Sequence, residues 1–230
     1  MSKKNKLQKF ADILSYPNVY ECYDYNNPGL VGAGMEPVEL KGAWSEKHFG
    51  NQKPITLELA CGGGEYTVGL ARMFPERNFI GMDIKGNRIW RGATAALEEG
   101  LNNVAFVRAR IELIELFFAA NEIAEIWITF PDPFPKSSKE NRRLTSDFFT
   151  KKYRSFLQKN GLVHLKHDDP GFYAFTLETI EADPESTLLL KNDDIYSGPL
   201  PMPELDIKTA YEKMHLEVGK KIHYVRYTIH

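Results

Sequence analysis

The chain is short of cysteine, of long apolar runs and of net charge, and each shortage narrows the field. Its 230 residues hold two cysteines, Cys22 and Cys61, without metal-ligand spacing. That pattern argues against both a disulfide scaffold and a zinc module, and no metal is expected. A reducing cytoplasm is the simplest setting for it. No apolar stretch approaches the roughly 20 residues that a membrane span needs. The N-terminus, MSKKNKLQKF, is basic but has no apolar segment behind it, so it does not read as a secretory signal. Repeats and low-complexity tracts are also missing. What remains, with 43% apolar and 12% aromatic residues, is ordinary for a folded chain long enough for one α/β domain.

The net charge of −2 hides a segregation. Residues 136–154 carry Lys136, Lys139, Arg142, Arg143, Lys151, Lys152 and Arg154 against only Glu140 and Asp147. The first nine residues add Lys3, Lys4, Lys6 and Lys9. A charge distribution of this kind can build a basic face that tracks phosphates whatever the global balance. The plainer alternative is a solvated helix face, and position must decide between them.

Residues 7–16 read as a short amphipathic helix and 17–53 as an irregular lead-in rich in proline and glycine. From residue 54 the pattern alternates to the C-terminus, and 54–230 is expected to be a single domain. Strand candidates are Ile55–Ala60, Asn78–Ile84, Val104–Arg108, Glu125–Phe130 and Gly161–His167. Helix candidates lie near 65–74, 86–99, 111–119 and 146–158. Such alternation predicts βαβ units and a mostly parallel, doubly wound Rossmann-like sheet. After residue 170 a helix (170–181), a strand (Thr187–Lys191), an acidic Pro-rich loop, a helix (205–216) and a strand (Ile222–Thr228) follow. This late pair predicts an antiparallel strand at the end of the sheet.

The segment TLELACGGGEYTVGLARMF passes from strand through glycines into a helix. Gly62 and Gly64 permit left-handed backbone and a close ligand approach, and a helix start near Glu65 aims free N–H groups at the same place. Tight packing is the competing reason for glycines here. Glu58 stands just before the loop, where a carboxylate would repel a pyrophosphate but suits the cationic end of S-adenosylmethionine. Asp83, 19 residues past Gly64, ends the next strand, where an Asp can accept both hydroxyls of an adenosine ribose. Cys61, inside the loop, reads as a small packing residue.

The fourth strand runs into EIWITFPDPFPKSSKENRRL. Pro131, Pro133 and Pro135 at alternate positions hold Asp132, Phe134 and Lys136 on a stiff, extended loop. In an open α/β sheet this end overlooks the ligand crevice. A loop that merely ended a strand would not need a carboxylate, an aromatic ring and a lysine between its prolines.

This stretch resembles the FPDPWPK…KRRL signature of the tRNA (guanine-N7-)-methyltransferase family, and the likeness runs from about Leu57 to the C-terminus. It includes NFIGMDI, GLVHLKHDD and IKTAYEKMHLEVG. The resemblance implies a class I methyltransferase domain over 54–230, with 1–53 as a lead-in able to contact RNA. It implies S-adenosylmethionine as cofactor, bound by Glu58, Gly62, Gly64 and Asp83, and Asp132 between cofactor and guanine as the active-site residue. Lys136, Asp168, Thr209 and Glu212 would contact the substrate, with Arg142 and Arg143 on its phosphates. The family's target is guanine 46 in the variable loop of tRNA; neither a membrane nor a protein partner is implied. The chain departs from the pattern at Ala60, where the loop's first glycine is usual, at Phe134 in place of Trp, and at Arg110. The family's acceptor for the adenine amino group falls at Arg110, and a guanidinium cannot accept a hydrogen bond. Adenine recognition would then pass to the backbone of Ile111.

Guanine N7 carries a lone pair and no hydrogen, so its methylation needs no proton acceptor. The work is in-line placement and stabilisation of the cation that forms. Asp132 and Asp168 suit both by accepting from guanine N1–H or N2–H₂. Phe134 either stacks on an extruded base or packs in the core. A methyltransferase for a small molecule, for another RNA or for an exocyclic amine, and a non-catalytic RNA-binding protein with a relic cofactor fold, are the competing readings.

Overall fold

The computed structural model describes residues 4–230, and Lys3 of the basic N-terminus lies outside the described residues. The chain forms two compact units that divide after Ala119.

The first unit contains α1 (Lys6–Ile13), β1 (Val19–Glu21), β2 (Leu30–Val31), β3 (Pro37–Val38), β4 (Ile55–Leu59), α2 (Glu65–Met73), β5 (Asn78–Asp83), α3 (Gly86–Glu98) and β6 (Val104–Arg108). Its strands lie in the order β3-β2-β1-β6-β5-β4. β4, β5, β6 and β1 pair in parallel, and β2 and β3 add antiparallel at the edge. Every residue of β4 and β5 is buried, as expected of parallel strands covered on both faces. Phe106 on β6 is the centre of this packing. Cβ atoms built on Gly64, Gly81 and Gly92 would come within 2.7–2.8 Å of its ring, so three glycines make the room that one aromatic ring fills.

The lead-in expected to be irregular is partly ordered into sheet. β1 pairs in parallel with β6, Val19 against Phe106, and a helical turn at Trp44–His48 anchors the rest. Trp44 is fully buried, donates from Nε1 to the Phe117 carbonyl at 2.9 Å and stacks on Phe118. Strands of two or three residues carry too little alternation to be seen in a sequence. Helix α1 begins at a capping box in which Asn5 and Gln8 satisfy each other's backbone N–H groups. It lies against α3, where Trp90 donates to Asp12 and Lys9 sits over the Trp90 ring.

The second unit contains β7 (Ile123–Thr129), α4 (Asp147–Arg154), β8 (Leu157–His167), α5 (Pro170–Ala182), β9 (Ser186–Asn192), α6 (Ala210–Glu217) and β10 (His223–Ile229). The strand order is β7-β8-β10-β9, with β7 and β8 parallel and β10 antiparallel to both neighbours. The late antiparallel strand is therefore present, and it bridges the 11-residue β8 to β9.

Three element boundaries differ from expectation. The helix expected at 111–119 is a 3-10 turn, Ile111–Leu116. The helix expected at 146–158 ends at Arg154, and β8 starts at Leu157, passing through Asn160 in the left-handed region (φ 61°). The helix expected at 205–216 is split into a 3-10 turn at Pro203–Asp206 and α6. Thr209 resets the start by accepting the Glu212 N–H at 3.1 Å. Among the described residues no helix is long and apolar enough to cross a membrane.

Candidate active site

In the first unit the strand tips of β4 and β5 meet through their carboxylates. Asp83 is buried and accepts the Gly62 N–H on Oδ2 at 2.9 Å and the Lys85 N–H on Oδ1 at 2.8 Å. The glycine loop is thus tied to the neighbouring strand, and each carboxylate oxygen keeps a lone pair for a further donor. Glu58, 2% exposed, accepts the Thr67 N–H at 2.8 Å and the Thr67 hydroxyl. Thr67, in the first turn of α2, was not anticipated from sequence.

The glycines divide their work differently from expectation. Gly62 has φ 54°, and a Cβ there would meet no protein atom closer than 4.0 Å, so the space beside it is open to a ligand. Gly64 has φ 71°, but its missing Cβ is replaced by the Phe106 ring. Gly64 serves the packing of α2 on β6. Ala60 occupies the left-handed region at φ 57°, at a cost of roughly 1 kcal/mol for a residue with a Cβ. Cys61 is buried, and burial pushes its thiol well above the ordinary range, in keeping with a packing role. Arg110 is exposed and its guanidinium lies 4.0 Å over the Tyr25 ring. Ile111 is half-buried and opens the 3-10 turn. The donor set fits S-adenosylmethionine: buried anions for an ammonium and a ribose, open space beside Gly62, and the positive end of α2.

In the second unit the loop after β7 is held on both sides of Asp132 while Asp132 itself is exposed. Phe130 and Phe134 are both left-handed, at φ 49° and 42°, conformations that persist only when the surroundings enforce them. The Phe130 N–H donates to the Lys166 carbonyl at 3.0 Å. His167 Nε2 lies 2.9 Å from the Pro131 carbonyl. Arg143 donates from its guanidinium to the Pro133 and Phe134 carbonyls, each at 3.1 Å, and stacks over Phe175 at 4.3 Å.

Arg143, expected on tRNA phosphates, is therefore buried with a backbone-bracing task. Arg142 is exposed, with its guanidinium 5.4 Å from the centre of the half-buried Phe134 ring. Lys136 is exposed at the start of the 3-10 turn Ser137–Arg142. Of the four cations of this stretch, Lys136, Lys139 and Arg142 are exposed and Arg143 is buried.

Asp168 follows β8 and sits beside one lysine and two imidazoles. Lys220 Nζ and His215 Nδ1 each lie 2.6 Å from Oδ2, and His167 Nδ1 is 3.6 Å from Oδ1. Burial raises its pKa, but Lys220, His167 and His215 outweigh that and hold the carboxyl below the usual range. Thr209 is the N-cap of α6. Glu212 is fully buried, paired with Lys166 at 2.7 Å and accepting from the Tyr196 hydroxyl at 2.7 Å. Burial pushes the Lys166 ammonium down to about 8 against the pull of Glu212. Lys166, His167, Tyr196, His215 and Lys220 escaped the sequence reading. Only the adjacency of Lys166 and His167 to Asp168 could have drawn attention to them.

The solved 16S rRNA methyltransferase KamB matches with a TM-score of 0.63 over 85% of this chain and 97% of its own. A 16S rRNA (adenine(1408)-N(1))-methyltransferase from Catenulisporales acidiphilia matches with a TM-score of 0.56, over 86% and 96%. At 14% and 12% identity these likenesses concern the fold, which is that of the class I methyltransferases. A family model described as putative methyltransferase covers residues 52–225. The tRNA (guanine-N(7)-)-methyltransferase of Bacteroides thetaiotaomicron is 48% identical over 98% of this chain and 86% of its own length. That of Christiangramia forsetii is 46% identical over the whole of both chains. The chain belongs to the tRNA (guanine-N7-)-methyltransferase family.

Proposed function

We propose that this enzyme methylates N7 of guanine 46, in the variable loop of tRNA, using S-adenosylmethionine in the cytoplasm. The observation that carries the reading is the doubly braced loop that offers an exposed Asp132 beside Lys136 and Arg142, in a chain whose relatives of nearly half identity bear that activity in their names.

Bound S-adenosylmethionine supplies an electrophilic methyl group on a sulfonium. Glu58 would face its ammonium, Asp83 would accept from its ribose hydroxyls, and the positive N-terminal end of α2 would face its carboxylate. The adenine amino group finds no acceptor in the Arg110 side chain, so the Ile111 backbone is the candidate for that contact. Asp132 and the ionised Asp168 accept from the guanine N1–H and N2–H₂ edge and counter the positive charge that develops on the imidazole ring. Neither acts as a general base, because N7 has no proton to lose. Lys136 and Arg142 contact phosphates, and Phe134, capped by Arg142, stacks on the base. Thr209 and Glu212 support the substrate side through the start of α6 and the Lys166 pair.

The test is transfer of labelled methyl to unmodified tRNA, followed by borohydride and aniline treatment, which cleaves at 7-methylguanosine. One cut in the variable loop is expected. Labelling without a cut, or labelling of small metabolites, would overturn the proposal.

A further inference from the structure

His167 sits at the end of β8, 3% exposed, and no step of methyl transfer uses it. Its Nε2 is 2.9 Å from the Pro131 carbonyl, which can only accept. Its Nδ1 receives the Asp169 N–H at 2.8 Å, and an amide can only donate. These two partners leave one arrangement open to the ring: neutral, with the hydrogen on Nε2. Phe130 stacks on it with centroids 5.8 Å apart and Phe172 meets it edge-on at 5.2 Å. The hydrogen bond to Pro131 joins the residue just before Asp132 to the residue just before Asp168. One imidazole therefore spans the two segments that carry both carboxylates, and it supports a stretch whose backbone is left-handed at Phe130.

We infer that His167 is a positioning residue that fixes Asp132 relative to Asp168 by donating to the Pro131 carbonyl while accepting from Asp169. The inference rests on the role proposed above for those carboxylates. Burial holds the His167 pKa below its ordinary value, against the opposing pulls of the Pro131 carbonyl, Asp168 and Asp169. The neutral form the geometry demands is thus the stable one near neutral pH. A displacement on the order of 1 Å in such a loop is enough to slow an in-line transfer by roughly a hundredfold.

Two amide variants separate the two contacts. His167→Gln extends its amide nitrogen to about the place of Nε2 and keeps the donor to Pro131. His167→Asn places its amide oxygen near Nδ1 and keeps only the acceptor for Asp169. At saturating tRNA and cofactor, the single-turnover rate of the Gln variant should stay within about threefold of wild type. That of the Asn variant should fall by about tenfold or more. Affinities for tRNA and for S-adenosylhomocysteine should change by less than about twofold in both, because neither contact touches a ligand.

A merely structural histidine would lower Tm in both variants and slow both alike. Equal slowing, or no slowing of the Asn variant, overturns the inference. Nitrogen-15 imidazole spectra of the wild-type protein decide the matter should a variant not fold. A neutral Nε2–H ring between about pH 6.5 and 8 is expected, and an Nδ1–H or charged ring overturns the proposal. The rates are read against wild type, so a failure here is distinct from a wild-type enzyme that does not methylate tRNA.

Discussion

The loop after β4 turns through left-handed residues, Ala60, Gly62 and Gly64, and is tied to β5 by the Cys61 N–H on the Met82 carbonyl and the Gly62 N–H on Asp83. The loop after β7 alternates prolines with functional side chains and is clamped from outside by His167 and Arg143. The first leaves open space beside Gly62 and is flanked by buried carboxylates; the second occupies its backbone carbonyls and exposes its carboxylate. On the proposed function, the difference follows from what each would hold. A small cationic cofactor is recognised by N–H groups and desolvated anions close to the main chain. A base brought out of a folded RNA needs a side chain projecting from a support that does not yield.

The largest expected effect strikes the exposed carboxylate. Asp132→Ala should lower the methyl-transfer rate by about two to three orders of magnitude while tRNA affinity stays within a few-fold. A variant with near-wild-type rate would remove Asp132 from the chemistry.

The glycines of the first loop should separate next. Gly64→Ala drives a Cβ to 2.7 Å from Phe106 and should cost about 2–4 kcal/mol, from overpacking and the left-handed backbone together. Gly62→Ala, with open space beside it, should cost only about 1 kcal/mol of stability and weaken S-adenosylhomocysteine binding instead. Thermal melts and calorimetry on both variants test the split; equal losses of stability would erase it.

The adjacent arginines offer a third contrast. Arg142→Ala should weaken tRNA binding and lower the salt slope by about one, with Tm unchanged. Arg143→Ala should lower Tm and the rate by releasing the Pro133 and Phe134 carbonyls, at about 1–3 kcal/mol, with the salt slope intact. Exchange of these phenotypes would reverse the two assignments.

The last contrast is one of pH dependence and lies in the first unit. Burial lowers the His48 pKa from 6.5 to about 4, and its Nδ1 lies 2.8 Å from the Tyr20 hydroxyl. The folded state disfavours the imidazolium, so the unfolded chain binds more protons between those two values. The His48 contribution to stability should be constant above pH 6.5 and fall as pH drops toward about 4. Melts of a His48→Gln variant should flatten that slope; an unchanged slope would assign it elsewhere.

Much of this is legible in the sequence. Glu58 and Asp83 stand out because strand ends and loop glycines leave a readable spacing, and Asp132 because alternate prolines have few other uses. The short strands β1 to β3 were not legible, since two or three residues carry too little alternation and β6, the partner on which β1 builds, lies far along the chain. Arg143 and Arg142 look identical in sequence, yet one lies on Phe175 and the other over Phe134. His167 is one more polar residue at a strand end until the Pro131 carbonyl appears beside it.

The sequence by itself determined the class of fold, the anionic tips of two strands, the stiffness of the proline loop and the family. These are local properties, set by residue type and by spacing along a single segment. Only the tertiary structure decided which glycine faces open space and which faces Phe106, which arginine is buried, and which imidazole nitrogen bears the hydrogen. Each of those depends on groups far apart in the chain that come within 3 or 4 Å only once the sheets have formed.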